Sequence, residues 1–131
     1  MMKKKIAIVE DNQTLREGYA FLINSSNKNF EVLNVFDSAE SFFEQLNSQV
    51  FEIVLMDIDL PGIDGIEATK KLKILCPKVE VIMLTVWQEP SKVFQALEHG
   101  ASGYVLKGAS GIEIISALEE LVQGGAPMSP A

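Results

Sequence analysis

The sequence predicts a doubly wound α/β sandwich, a parallel sheet with helices on both faces. Five short runs rich in β-branched and apolar residues alternate with five stretches of helical spacing, and the runs are apolar almost throughout. Strands apolar on both faces belong in a sheet covered on both sides, and strand–helix alternation is the pattern of parallel α/β units. With 131 residues, 47% of them hydrophobic and 22% charged, the chain has the size and composition of one globular domain.

The first run, residues 6–9, ends at Glu10-Asp11. Asn12 or Thr14 then caps a helix whose apolar stripe is Leu15, Tyr19, Leu22 and Ile23. The second run, 32–36, is followed by Asp37 or Ser38 as cap and by Ala39, Phe42, Phe43 and Leu46. After the third, 53–56, Asp64 caps a helix with Ile66, Thr69, Leu72 and Leu75, which stops at Cys76-Pro77. The fourth run, 81–84, precedes Pro90, read as the end of a loop, then Ser91 as cap and Val93, Ala96 and Leu97 as stripe. Gly100 after His99 supplies the left-handed residue that closes this helix. The fifth run, 103–106, leads through Ser110 into Ile112, Ile115, Leu118, Leu121 and Val122. Residues 1–123 form the predicted domain. The tail, 124–131, with two glycines and two prolines, breaks the last helix and reads as a linker.

Several function classes are excluded at this point. A formal charge of -7 repels a phosphate backbone, so this domain alone is not built to grip nucleic acid. Lys3-Lys4-Lys5 reads as a solvated entry to the first strand, and the apolar residues after it stop at Glu10, too soon for a secretory signal. No stretch approaches the roughly 20 apolar residues of a membrane helix. Cys76 is the one cysteine, which rules out an internal disulfide and fits a reducing cytoplasm, the expected location. His99, the one histidine, reads as a structural residue at a helix end.

Ligands of doubly wound sheets bind beyond the carboxyl ends of the strands, where strand order reverses. There the first strand presents Glu10-Asp11, the third Asp57, the fourth Thr85 and the fifth Lys107. Singly, each has an ordinary reading as a helix cap, a strand-end residue or a solvated charge. Together, in chain order, they make a site. Two carboxylates about 4 Å apart repel by about 4 kcal/mol at an effective dielectric of about 20, so the cluster calls for a cation. Donors that are all oxygen suit Mg²⁺. Lys107 offers a point charge for a phosphoryl oxygen, and the Thr85 hydroxyl can donate to another.

Glu10-Asp11, Val54-Leu55-Met56-Asp57, Pro61-Gly62 with Asp64-Gly65, Leu84-Thr85 and Lys107 resemble the signature of response regulator receiver domains of two-component signalling. The resemblance runs from about Lys5 to Gln123. It implies the flavodoxin-like strand order 2-1-3-4-5 in a three-layer α/β/α sandwich. It also implies that Asp57 takes a phosphoryl group from the phosphohistidine of a sensor histidine kinase. Asp11, Asp57 and the Asp59 backbone carbonyl would hold Mg²⁺, with Glu10 joining through water. Lys107 would contact the phosphoryl group, Thr85 would hydrogen-bond it after activation, and Tyr104 would change rotamer with Thr85. Asp59 and Trp87, two residues past Asp57 and Thr85, occupy the positions that influence how fast water removes the group. Such a domain is no enzyme beyond phosphorylating itself from a donor and slowly losing the group, and it homodimerises on phosphorylation.

Lys107-Gly108-Ala109-Ser110 and the Gly-Gly then Ser-Pro pattern of the tail resemble the subfamily with a LuxR-type helix-turn-helix output. That implies transcription regulation, with DNA reached only through a C-terminal domain beyond Ala131. Two positions depart from the family. Gly108 stands where many receivers have proline after a cis joint, and Val86 stands where a smaller residue is common, narrowing access to Asp57. Rival readings are a stand-alone receiver acting through protein contacts, a pseudo-receiver, a flavin or nucleotide binder, and a haloacid-dehalogenase-like phosphatase using Asp57-Ile58-Asp59. The phosphatase motif belongs on a first strand, and a phosphate-cradling loop would need Gly, Ser or Thr where Glu10-Asp11 stands.

Overall fold

The computed structural model describes residues 3–26, 28–86 and 90–128. Its strands are β1 (Lys4–Val9), β2 (Phe30–Phe36), β3 (Ile53–Asp57), β4 (Glu80–Thr85) and β5 (Gly103–Leu106). Its helices are α1 (Gln13–Asn24), α2 (Ala39–Gln45), α3 (Gly65–Leu75), α4 (Pro90–Glu98) and α5 (Gly111–Val122), with a 3₁₀ turn at Leu46–Ser48. All strand pairs are parallel and the order is β2-β1-β3-β4-β5.

Strand alternation divides the interior in two. Ala7, Val9, Val54, Met56, Val81 and Met83 face one way and pack with Phe42 of α2, Leu72 of α3 and Ala96 of α4. Ile6, Ile8, Leu55, Ile82 and Leu84 face the other way and pack with Tyr19 and Ile23 of α1 and with Ile114 and Leu118 of α5. Because both faces are covered, the central strands carry no polar alternation, which is why they read as unbroken apolar runs. Phe36, Phe42 and Phe51 meet edge-to-face or tilted, with ring centroids 5.4 to 6.2 Å apart, and fill the space beneath α2.

Most local punctuation follows the expected chemistry. Asn12, Ser38, Asp64 and Ser110 each accept a hydrogen bond from a first-turn backbone N–H, and Ser110 forms a full capping box with Glu113. Gly100 has a positive φ at the end of α4. The fourth helix differs from expectation: it begins at Pro90 itself, a position where a missing N–H breaks no intrahelical bond. α5 also turns differently. Its buried face is Ile114, Ile115, Ala117, Leu118 and Leu121, whereas Ile112 is 81% exposed and Val122 is exposed as well. Leu75 at the end of α3 is likewise exposed. After α5 the chain reverses, and Met128 pairs in parallel with Tyr104 at the outer edge of β5. No described helix is long and apolar enough to cross a membrane.

Candidate functional site

Register brings the predicted side chains together. Val9 lies opposite Met56, so Glu10 and Asp57 follow side by side. Leu84 lies opposite Asp57 and Thr85 opposite Leu106, which sets Thr85 and Lys107 one step beyond. Backbone bonds fasten these exits: Ile58 N–H donates to Leu84 O at 3.0 Å and Lys107 N–H to Thr85 O at 2.7 Å. Gly65, the first residue of α3, lies against the Asp57 main chain so closely that a Cβ would sit 2.0 Å from Asp57 O. Only glycine lets α3 start there.

The side chains form a buried charge cluster. Lys107 Nζ lies 2.9 Å from Glu10 Oε1 and 3.0 Å from Asp57 Oδ1. Glu10 is fully buried and Asp57 is 1% exposed. Asp11 stands at the solvent side of the group, and the carboxylate oxygens of Glu10, Asp11 and Asp57 lie within 4.8 Å of one another. The Asp59 N–H donates to Asp57 Oδ1 at 3.1 Å, and the Asn12 N–H donates to Glu10 Oε2 at 3.0 Å. Asp57 Oδ2 is buried with no hydrogen-bond donor among the described residues.

Three negative groups against one ammonium disturb their own ionisation. Burial, opposed by Lys107 and reinforced by the charge of Glu10, pushes Asp57 up to about 7. Burial works against the Lys107 ammonium too, but Glu10 and Asp57 outweigh it and hold its pKa above the ordinary value. For Asp11 burial is the largest single influence and acts upward, but hydrogen bonding with Glu10 and Asp57 and the Lys107 charge together outweigh it, so its pKa falls. Near neutral pH the metal-free cluster is therefore only partly ionised, with a proton shared among its coupled carboxylates. An orphaned buried carboxylate oxygen in a ring of hard oxygen donors is what a small divalent cation would relieve, and the residues present fit one.

Thr85 is buried beside the cluster and its hydroxyl donates to Val86 O at 3.0 Å. Tyr104 does not share that strand end: it lies opposite Met83, two residues back along β5, and is half-buried against the α4-side core. The peptide joining Lys107 to Gly108 is trans, since the described residues contain no cis bond, and Gly108 carries the turn with φ +88°. Val86 is half-exposed at the rim. Trp87 lies outside the described residues.

Two contacts were not foreseen from sequence. Lys92 of α4 places Nζ 2.7 Å from Asp59 Oδ1, neutralising that carboxylate at the mouth of the site. Arg16 of α1 donates from Nη1 to Glu10 O at 2.8 Å and Asp11 O at 3.3 Å, bracing the acidic turn. Both are long side chains from neighbouring helices, and no local motif announces them.

Residues 6–119 match the family described as the response regulator receiver domain. This chain belongs to that family. It is 36% identical over 126 residues to the transcriptional regulatory protein LnrK of Bacillus subtilis (strain 168), covering 96% of this chain and 57% of that one. It is 34% identical over 128 residues to the transcriptional regulatory protein DegU of Brevibacillus brevis, covering 98% of this chain and 54% of that one. The receiver thus spans little more than half the length of these relatives. Among solved structures, a two-component response regulator of the LuxR family from Aurantimonas sp. SI85-9A1 superposes with a TM-score of 0.89 at 32% identity. That match covers 98% of this chain and 91% of that one.

Proposed function

We propose that this receiver is phosphorylated on Asp57 by a sensor histidine kinase and that the modification switches an output. The observation that carries the reading is Asp57 itself: a buried carboxylate at a strand end, held by Lys107 at 3.0 Å, with its second oxygen unpartnered. Asp11, Asp57 and the Asp59 carbonyl would hold Mg²⁺, with Glu10 linked through water. Bound there, Mg²⁺ supplies positive charge that offsets the acceptor and the incoming phosphoryl oxygens.

The chain's own groups do the rest. Lys107 orients the Asp57 carboxylate and, once an acyl phosphate has formed, holds a phosphoryl oxygen. Transfer forms a bond from an Asp57 carboxylate oxygen to phosphorus and breaks the bond from phosphorus to the donor nitrogen. The Asp59 N–H, already on Asp57 Oδ1, fixes the carboxyl plane. Thr85, whose hydroxyl rests on Val86 O, turns to donate to the phosphoryl group, and Tyr104 takes up the space this opens. Such a change is a local electrostatic event read by packing elsewhere. Asp59 and Trp87 then set how long the phosphoryl group lasts.

The names of the relatives support transcription as the output, reached through a DNA-binding domain that follows residues 124–131 as linker, with receivers pairing after phosphorylation. The acidic domain itself leaves DNA contact to that second domain. The decisive experiment is intact-mass measurement after incubation with acetyl phosphate and Mg²⁺. One added phosphoryl group, lost with EDTA and in Asp57→Asn, is expected. Labelling that persists in Asp57→Asn overturns the assignment.

A further inference from the structure

We propose that the outer edge of β5 is a strand-docking surface, that residues 126–128 of this chain occupy it, and that Tyr104 links their docking to the state of Asp57. The linkage, though not the docking, rests on the phosphoacceptor reading above.

The approach to the edge is built. Gly124, with φ +92°, donates its N–H to Leu121 O at 3.0 Å, and Gly125 N–H donates to Glu120 O at 2.9 Å, which turns the chain back after α5. Pro127 is then buried, and its carbonyl accepts from Tyr104 N–H at 2.9 Å. Met128 pairs in parallel with Tyr104. The surface also carries its own cradle: a Cβ on Gly103 would sit 2.1 Å from Pro127 O, so the lack of a side chain there admits the passing strand. β5 borders the sheet, and an uncovered edge invites pairing with other chains. The strap fills it by the geometry of strand addition.

Tyr104 joins this strap to the acceptor site. Its main chain is the strap's hydrogen-bond and bridge partner. Tyr104 and its bridge partner Met128 both line a groove of about 220 Å³ with Ile112 and Ala117, and Glu113 and Glu120 border the same groove. When the ring turns toward the space vacated by Thr85, the residue that pairs with Met128 is repacked, and the edge that seats Met128 is reshaped. Phosphorylation therefore loosens the strap, and by linkage a loosened strap favours the phosphorylated form.

The test is residue-resolved amide hydrogen exchange on the whole 131-residue chain, with the phosphoryl group counted in parallel by intact mass. In the unmodified chain the Tyr104 amide is expected to be protected, and Gly103→Ala should speed its exchange at least about tenfold with core amides of β3 unchanged. Since Gly103 lies inside the sheet, Met128→Glu serves as a second variant that sets a carboxylate beside Glu113 and Glu120 on an exposed residue. It should speed Tyr104 exchange similarly and raise acetyl phosphate labelling about two- to fivefold. Acetyl phosphate with Mg²⁺ should speed the same amide in the modified fraction. Tyr104 exchange unmoved by both variants overturns the docking, and equal protection in chains whose mass proves them phosphorylated overturns the linkage. Failure of any phosphoryl group to appear counts against the acceptor reading and with it the linkage, while the variants still decide the docking.

Discussion

Strand β1 carries carboxylate–ammonium pairs at both of its ends, and the two ends behave oppositely. At the amino end, Lys4 reaches Glu52 and Lys5 reaches Glu31, with 34% to 46% of each side chain in solvent. At the carboxyl end, Glu10 and Asp57 share Lys107 with almost no solvent contact. Water screens the first set, so its formation and loss are nearly balanced. The second set is desolvated, short of one positive charge and leaves a carboxylate oxygen unpaired, so it strains the fold that holds it. Similar ion pairs thus serve as surface trim at one end and form a strained, desolvated cluster at the other. Position relative to solvent, not residue type, separates them.

The comparison breaks most visibly if the buried cation is removed. Lys107→Ala leaves Glu10 and Asp57 facing each other without compensation, and urea unfolding of the metal-free chain at pH 8 should show a loss of about 3 kcal/mol. Adding Asp57→Asn should recover most of it; a loss under about 1 kcal/mol would place the carboxyl end in the same class as the amino end.

Asp57→Asn alone should act in the opposite direction. The folded pKa of Asp57, about 7, lies above its usual 3.8, so its neutral form stabilises the fold fully below pH 3.8. That contribution disappears as pH rises through 7. The variant should be more stable than the parent by about 1–3 kcal/mol at pH 8 without metal, with the gap closing toward pH 4. Parallel stability curves across that range would sink the claim. If Mg²⁺ occupies the cluster as proposed, it relieves the same strain, so millimolar Mg²⁺ should raise parental stability at pH 8 by about 1–2 kcal/mol and that of Asp57→Asn far less. Thermal melts with and without EDTA read this directly. The smallest effect belongs to the amino end. Lys5→Ala with Glu31→Ala, in a double-mutant cycle, should give a coupling below about 1 kcal/mol that vanishes in high salt.

The elements of the site were legible because the parallel sheet places every strand exit on one edge, so reading the residue just past the first, third, fourth and fifth apolar runs finds Glu10, Asp57, Thr85 and Lys107. Helix caps were equally legible, since Asn12, Asp64 and Ser110 act on N–H groups within three residues. What stayed hidden depends on orientation in space. Ile112 and Val122 fit the helical stripe as well as Ile114 and Ala117 do, and only the packed direction of α5 exposes the first pair and buries the second. Lys92 meets Asp59 across 33 residues of sequence, a pairing no local pattern encodes. Residues 124–128 have linker composition, yet the glycine in β5 that seats Pro127 is visible only once the two segments lie side by side.

The spread of the acceptor site along the chain has a bearing on protein synthesis. Its first carboxylate is residue 10 and its ammonium is residue 107, and every intervening contribution comes from a parallel strand pairing that joins distant segments. Non-local pairings of this kind form late, after long loops have closed. A nascent chain still on the ribosome lacks Lys107 until most of the domain has emerged, so the charge cluster at the strand ends stays incomplete until then. On the proposed phosphoacceptor function, competence to be modified would therefore follow completed folding of the domain.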